Sequence, residues 1–162
     1  MPTPTMPPQD AVTAQMAAQL TELVVQWGQG KTSIKQMVGL GDEELYAIAS
    51  QGYFLFLQGK SEAARTVFEG LVAIDPRNAY YYRALGAIYW RLKEPQRAVR
   101  QLTFAIRVSP RDISSYVNRA EIYIAQKQFK LARSDLQFAI ASAKAHEGPL
   151  CDKARAMLRM IS

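Results

Sequence analysis

Small and apolar side chains recur along the middle of the chain at a spacing of 34 residues. When the sequence is shifted by that spacing, Gly52, Gly86 and Ala120 coincide. The other matching sets are Ala64, Ala98 and Ala132; Leu55, Tyr89 and Tyr123; Phe68, Leu102 and Leu136; and Leu71, Ala105 and Ala139. Self-similarity at a fixed period of this length is typical of proteins built from stacked supersecondary units. The pattern therefore predicts a helical repeat protein.

The details of each unit match the tetratricopeptide repeat, which has a small residue in each of two helices, A and B, and a proline at its end. Pro76 and Pro110 close the first two units. Because helices cross closely only where side chains are short, we expect each small residue of helix A to face the small residue of helix B. Tyr82, Leu85 and Tyr89 are expected in the core. The sequence predicts an all-α fold with three tandem tetratricopeptide repeats in a right-handed superhelix.

Capping and breaking residues place the helices along the repeats. The A helices are predicted at 42–57, 78–92 and 112–126, and the B helices at 61–73, 95–107 and 129–143. The predicted N-caps are Asp42, Asn78 and Asp112 for the A helices and Ser61 for the first B helix, and Pro95 suits a first helical turn. The repeats then occupy 42–77, 78–111 and 112–147. Residues 148–162 form an amphipathic helix that caps the last repeat.

The segment before the repeats, residues 10–41, has its own helical pattern. Its apolar stripe consists of Val12, Met16, Leu20, Leu23, Val24 and Trp27. The sequence "GQGK" breaks this helix, and "TSIKQMVGL" predicts a short second helix. Residues 1–9, with their four prolines, are expected to be a disordered tail.

Charge is divided unevenly. Residues 1–80 hold five Lys/Arg and eight Asp/Glu, a net −3, whereas residues 81–162 hold fifteen and six, a net +9. A basic half attracts nucleic acid, anionic lipid or an acidic partner, but it also arises from solvated helix faces. The chain lacks a block of five or six Lys/Arg and any recognised nucleic-acid motif, so we expect no nucleic-acid partner.

Nothing in the sequence indicates a membrane or export signal. The longest apolar run falls short of the roughly 20 residues of a membrane helix, and "MPTPTMPPQD" lacks the basic region of a signal peptide. We expect a cytoplasmic protein that does not insert into membranes. The single cysteine, Cys151, excludes an internal disulfide framework.

The sequence also lacks a recognisable catalytic constellation. His146 is the only histidine, no cluster has metal-ligand spacing, and "GQGK" is without the leading glycine and strand of a phosphate loop. We therefore expect neither an enzyme nor a protein that binds a metal or cofactor.

The A helices of stacked repeats form a concave inner wall. The side chains expected to line it and bind a peptide are Tyr46, Ala49, Tyr53, Phe56, Tyr80, Arg83, Ala87, Trp90 and Val117. The small Ala87 should leave a pocket between Tyr80 and Trp90. Exposed apolar concavities commonly mark binding sites, and an extended peptide with spaced apolar anchors fits this composition. Alternatively, the N-terminal helix or a second subunit covers the groove.

Residues 18–160 resemble the class II chaperones of bacterial type III secretion, the LcrH/SycD/IpgC group. The resemblance rests on "QLTELVVQWGQGKTSIKQMVGL", on the three repeats and on the final helix. It implies a chaperone that holds an extended segment of hydrophobic translocator proteins, with roughly a P/V-x-L-x-x-P pattern, in the groove. It also implies a homodimer formed through the N-terminal segment, which points to Leu20, Leu23, Val24 and Trp27.

The resemblance assigns the paired aromatics of the first repeat to Tyr53 and Phe56. It assigns the wall of the second repeat to Tyr80, Arg83, Ala87 and Trp90. The family is usually acidic, whereas this chain has a pI near 9.5. Two other functions stay open: a tetratricopeptide-repeat adaptor or scaffold in a secretion or pilus assembly, and nucleic-acid association through the basic half.

Overall fold

The computed structural model describes residues 9–144 and 147–161. The proposed tail and His146 lie outside these residues, except that Gln9 already belongs to the first helix. The chain divides into two compact units, one up to Gly41 and one from Asp42 onward.

The first unit contains helix α1 (Gln9–Gly28) and the short helix α2 (Ile34–Met37). A capping box begins α2, because the Ser33 hydroxyl accepts a hydrogen bond from the Gln36 backbone while the Gln36 side chain accepts one from the Ser33 backbone. Gly30 has a φ of +70° in the break between the two helices, a conformation that glycine adopts without strain.

The second unit consists of three helix pairs and a final helix. In chain order these are α3 (Asp42–Leu57), α4 (Ser61–Ile74), α5 (Ala79–Arg91), α6 (Pro95–Val108), α7 (Ile113–Ala125), α8 (Phe129–Ser142) and α9 (Gly148–Met160). Each helix packs on the next one along the chain, and the A helices α3, α5 and α7 also contact each other in succession. The predicted all-α repeat fold is confirmed.

Two of the four predicted N-caps, Asn78 and Asp112, are found, whereas Asp42 is the first residue of α3 itself and does not precede that helix. The Asn78 carboxamide accepts a hydrogen bond from the Tyr80 backbone at 3.1 Å, and the Asp112 carboxylate accepts one from Ser114 at 3.3 Å. The Ser61 prediction is wrong: α4 starts at Ser61 itself, the preceding Lys60 makes no side-chain cap, and Ser61 is buried.

Helices A and B cross closely at Gly52 and Gly86, as predicted, but the residues opposite them differ from the prediction. A methyl group on Gly86 would lie 2.6 Å from Leu102 Cγ, and one on Gly52 would lie 2.9 Å from Phe68 Cε2. The large side chains of helix B, rather than Ala64 and Ala98, therefore fill the space above the glycines.

The core of the second repeat differs in one residue from the prediction. Leu85 and Tyr89 are buried, whereas Tyr82 is only partly buried and packs on Phe104. Tyr81 is buried in its place and contacts Phe68 of the preceding repeat.

The final helix covers the last repeat. Ala154 and Met157 of α9 belong to one buried cluster with Ile113, Val117 and Leu136. Within the described part of the chain, no helix is both long enough and apolar enough to cross a bilayer.

Candidate peptide-binding trough

Two adjoining pockets lie along the A helices of the second unit. The first has a volume of about 160 Å³, and its lining residues are Tyr53, Phe56, Phe68, Tyr80, Arg83, Ala84, Ala87, Ile88 and Asn118. The second has a volume of about 370 Å³, and its lining residues are Phe56, Gly86, Ala87, Trp90, Arg91, Lys93, Leu102, Asn118, Glu121 and Ile122. Because Phe56, Ala87 and Asn118 line both, the two pockets are adjacent, and we call them together the trough.

The short side chain of Ala87 is central to the trough. Tyr80, near the start of α5, lines the first pocket, and Trp90, near the end of α5, lines the second. Six of the nine side chains expected in the groove line these pockets, namely Tyr53, Phe56, Tyr80, Arg83, Ala87 and Trp90. Tyr46 lines neither pocket and is 76% exposed.

Ala49 and Val117 do not project into a groove, contrary to the prediction. Ala49 is 3% exposed, although Tyr46 and Tyr53, one turn before and after it on the same helix face, are exposed. Val117 is fully buried in the cluster that α9 completes. The next residue along α7, Asn118, lines both pockets instead.

Aromatic packing holds Tyr80 in the wall of the first pocket. Its ring meets Phe68 edge-on at a centroid distance of 6.0 Å, and the Arg83 guanidinium lies 5.6 Å from the ring centroid. Burial raises the pKa of the Tyr80 hydroxyl, and the nearby Arg83 charge opposes this effect only in part. Tyr80 therefore presents a neutral ring and hydroxyl to the pocket.

Arg83 is fixed by an ion pair between successive A helices. Its Nη1 atom lies 2.7 Å from Oδ2 of Asp112, which also accepts a hydrogen bond from Ser115 at 2.8 Å. Burial by itself would raise the pKa of Asp112, but the Ser115 hydrogen bond and the Arg83 charge outweigh it and lower that pKa. Since Asp112 neutralises the guanidinium, the first pocket is mainly apolar to a ligand.

The second pocket is more polar. The Arg91 guanidinium stacks 3.8 Å from the Phe56 ring centroid and donates to the Phe56 carbonyl at 2.6 Å. Glu121 also lines this pocket, and its carboxylate pairs with Lys153 of α9 at 2.8 Å. The trough thus offers apolar contacts at one end and charged groups at the other.

Several residues of the trough differ from those predicted. Phe68 and Leu102 belong to B helices, but they pack against the small residues Gly52 and Gly86 and so reach the pockets. Asn118 was missed because the repeat template assigned the inner face of α7 to its neighbour Val117. Its polarity was the signal that could have found it, because an amide beside buried apolar positions needs a hydrogen-bond partner or contact with solvent.

The N-terminal unit carries the residues expected at a dimer interface. Leu20, Val24 and Trp27 are each at least half exposed, and Leu23 is partly exposed. Met16, one turn before Leu20, is 57% exposed. The side chain of Val12 lies outside the described residues.

Comparisons with known proteins agree with the fold. The Tetratricopeptide repeat family matches residues 113–146. The translocator chaperone SycD of the Yersinia enterocolitica type III secretion system superimposes with a TM-score of 0.76 at 19% identity, covering 80% of this chain and 98% of SycD. The fold is that of the translocator chaperones.

Two further solved structures are similar. A chain of a type III secretion complex from Aeromonas hydrophila gives a TM-score of 0.79 at 18% identity, covering 86% of this chain and 95% of that one. PcrH of Pseudomonas aeruginosa, solved with the chaperone-binding region of PopB, gives 0.71 at 24%, covering 74% and 98%. No curated protein sequence matches this chain at a significant level.

Proposed function

We propose that this protein is a cytoplasmic, non-enzymatic chaperone of a type III secretion system. It holds an extended apolar segment of a hydrophobic translocator in the trough and keeps that translocator soluble before export. The observation that carries the proposal is the pair of adjoining pockets along the A helices, in a fold shared with chaperones that were solved with translocator segments.

The shape of the trough suits an extended chain with separated anchors. Successive side chains of an extended segment point to opposite sides, so alternate residues can enter pockets while the others face solvent. An apolar anchor buried in each pocket contributes about 1.5–3 kcal/mol. The costs of association and of ordering the segment reduce that sum, which leaves binding that is reversible when the translocator is exported.

Polar groups in the trough can hold the backbone of such a segment. The Asn118 carboxamide has both donors and an acceptor and lies where the two pockets meet. A single amide can therefore pair with the N–H and C=O of one ligand residue. Such pairing holds any extended sequence, while the pockets on either side select apolar side chains.

The exposed stripe of α1 supports the proposal of a homodimer. Leu20, Val24 and Trp27 recur at helical spacing, and such a stripe is buried when it meets a second amphipathic helix. Sedimentation of the wild-type chain and of a Leu20→Glu, Val24→Glu variant tests this part. The variant should sediment as a monomer and should still bind a translocator segment if the trough alone provides the site.

Co-expression with a translocator tests the chaperone role. The translocator should remain in the soluble fraction only when this protein is present. The Tyr53→Ala, Trp90→Ala variant should weaken the affinity for a translocator segment about tenfold or more, since both pockets lose an aromatic wall. Phe54→Ala is the matched control, because Phe54 is a 55% exposed aromatic on the same helix that lines neither pocket.

A second variant separates lost binding from lost folding. Ala87→Leu adds side-chain volume where the pockets join and removes no existing contact. It should retain the wild-type melting temperature and still lose affinity. Unchanged binding by both trough variants would refute the assignment of the site.

A further inference from the structure

A second surface, formed by α6, α7, α8 and the turn between α6 and α7, has a composition unlike that of the trough. Residues 95–111 contain Arg97, Arg100, Arg107 and Arg111 and no acidic residue. Arg97 pairs with Glu94 at 2.9 Å. The other three are exposed and take part in none of the ion pairs seen between described residues. Their positive charges are therefore available to a partner.

Aromatic pairs one repeat apart stand beside these arginines. Tyr82 packs on Phe104 at a ring-centroid distance of 5.7 Å, and Tyr116 packs on Phe138 at 4.3 Å. Phe104 and Phe138 are 39% and 40% exposed even though each stacks on a tyrosine. The first repeat has no such pair, since Gly70 occupies the place of Phe104.

Hydrogen bonds join these groups into one surface. The Arg119 guanidinium bonds both Thr103 of α6 and Asp135 of α8, so the two B helices lie on either side of one side chain. The Tyr116 hydroxyl donates to the Pro110 carbonyl, which places the turn containing Arg111 beside the second aromatic pair.

On α6, the Arg107 guanidinium lies 5.6 Å from the Phe104 ring centroid, and Arg100 is one turn before Phe104. We call this surface the arginine–aromatic face; it consists of Arg100, Phe104, Arg107, Arg111, Tyr116 and Phe138. None of these six residues lines either pocket of the trough.

We propose that the arginine–aromatic face docks an acidic segment of a second protein that also carries apolar side chains. Arginine and aromatic residues are the types enriched at protein interfaces, where aromatic rings supply buried area and guanidinium groups pair with carboxylates. The face has apolar rings between uncompensated positive charges, and its complement is a chain of alternating acidic and apolar residues.

The packing of the rings favours a protein over a nucleic acid. Bases bind proteins by stacking on the open faces of aromatic rings. Here the Tyr116 ring already covers one face of Phe138 at 4.3 Å, with an interplanar angle of 30°. Phe104 is likewise held against Tyr82 and Arg107. With a tyrosine already packed on each phenylalanine, the exposed parts of these rings suit contact with aliphatic or aromatic side chains.

Helices α6 and α7 contribute to both sites, but the six residues of the face line neither pocket of the trough, so one chain can hold two ligands at once. This inference does not depend on the identity of the trough's ligand. It also places three of the fifteen basic residues of the 81–162 half on one face.

Fluorescence anisotropy on the full chain tests the proposal. The probe is a labelled synthetic peptide of about 15 residues in which Glu or Asp alternates with Leu or Trp, a length within reach of one such face. Two comparison probes are a peptide of equal charge with Ser in place of the apolar residues and a single-stranded oligonucleotide. The test variant is Arg100→Glu with Arg107→Glu. Its matched control is Lys31→Glu with Lys60→Glu, which changes the net charge equally at exposed lysines elsewhere.

The acidic apolar peptide should bind the wild type and the control variant alike and should bind the test variant about tenfold or more weakly. Binding should persist in the Tyr53→Ala, Trp90→Ala variant, which separates this face from the trough. Three results would each overturn the proposal. These are an equal loss of affinity in the test and control variants, a Ser-containing peptide that binds as tightly as the acidic apolar peptide, and an oligonucleotide that binds more tightly than it.

Discussion

At the scale of single residues, a crowded glycine and an uncrowded one show where the repeat pattern requires a small side chain. Gly86 lies under Leu102, where a methyl group would come within 2.6 Å of a branched carbon. Gly70 is on the exposed side of α4, and a methyl group there would meet nothing within 4 Å. The repeat pattern therefore requires a small residue at Gly86 and leaves Gly70 free to vary.

These surroundings predict opposite effects of the same substitution. Gly86→Ala should lower the free energy of unfolding by about 1–3 kcal/mol, because Leu102 must move within a packed core. Gly70→Ala should raise it by about 0.5–1 kcal/mol, because alanine costs less backbone entropy in a helix. Chemical denaturation of both variants measures the two changes. Stabilisation by Gly86→Ala would mean that the A and B helices can separate without cost.

The sequence identifies Gly86 as a close-approach site but does not identify the residue opposite it. The 34-residue register aligns small residues in both helices, which favoured Ala98 as the partner. The actual contact depends on the direction in which the long side chain of Leu102 leaves its helix. Side-chain direction of this kind depends on tertiary packing and not on periodicity.

At the scale of helices, the third repeat departs from the apolar template through an ion pair. Arg119 occupies the position of the buried Leu85 one repeat later. Its Nε and Nη2 atoms donate to the two oxygens of Asp135, each at 2.8 Å, and Nη1 donates to Thr103 at 2.9 Å. One side chain thereby connects α6, α7 and α8.

Replacing one member of this ion pair should lower the free energy of unfolding strongly, whereas replacing both members should lower it much less. Arg119→Met should lower the free energy of unfolding by about 3–5 kcal/mol, because it leaves the 6% exposed Asp135 without its partner. Arg119→Met with Asp135→Leu should recover most of that loss, since buried ion pairs and apolar replacements are often similar in stability. A thermodynamic cycle over the two single variants and the double variant measures the coupling.

The helix positions were predictable, but this ion pair was not. Capping residues and prolines fix where helices begin, so the predicted bounds of α3 to α8 lie within one residue of those found. The pairing of Arg119 with Asp135 joins residues on two helices whose relative rotation is set by packing. The same rotation placed Asn118 in the trough in place of Val117.

At the scale of the repeat array, stability depends on how its last repeat is closed. Units of a repeat array contact only their neighbours, so a terminal unit needs a cap. Here α9 provides it: Met157 packs into the cluster around Val117, whereas Met160 on the same helix is 79% exposed.

Met157→Ala should lower the free energy of unfolding by about 2–4 kcal/mol, and Met160→Ala by less than about 0.5 kcal/mol. Hydrogen exchange should localise the effect of Met157→Ala to α7, α8 and α9, with little change in α3 and α4. Uniform acceleration across all seven helices would show that the array unfolds as one unit and not from its capped end.

The three A helices also set the reach of the trough. Packed helices lie about 8–10 Å apart, so a chain crossing α3, α5 and α7 travels roughly 20 Å. An extended backbone advances about 3.3 Å per residue, which limits the occupied stretch to around six residues. A footprint of this length fixes one short local stretch of any longer ligand and leaves the remainder of that ligand outside the trough.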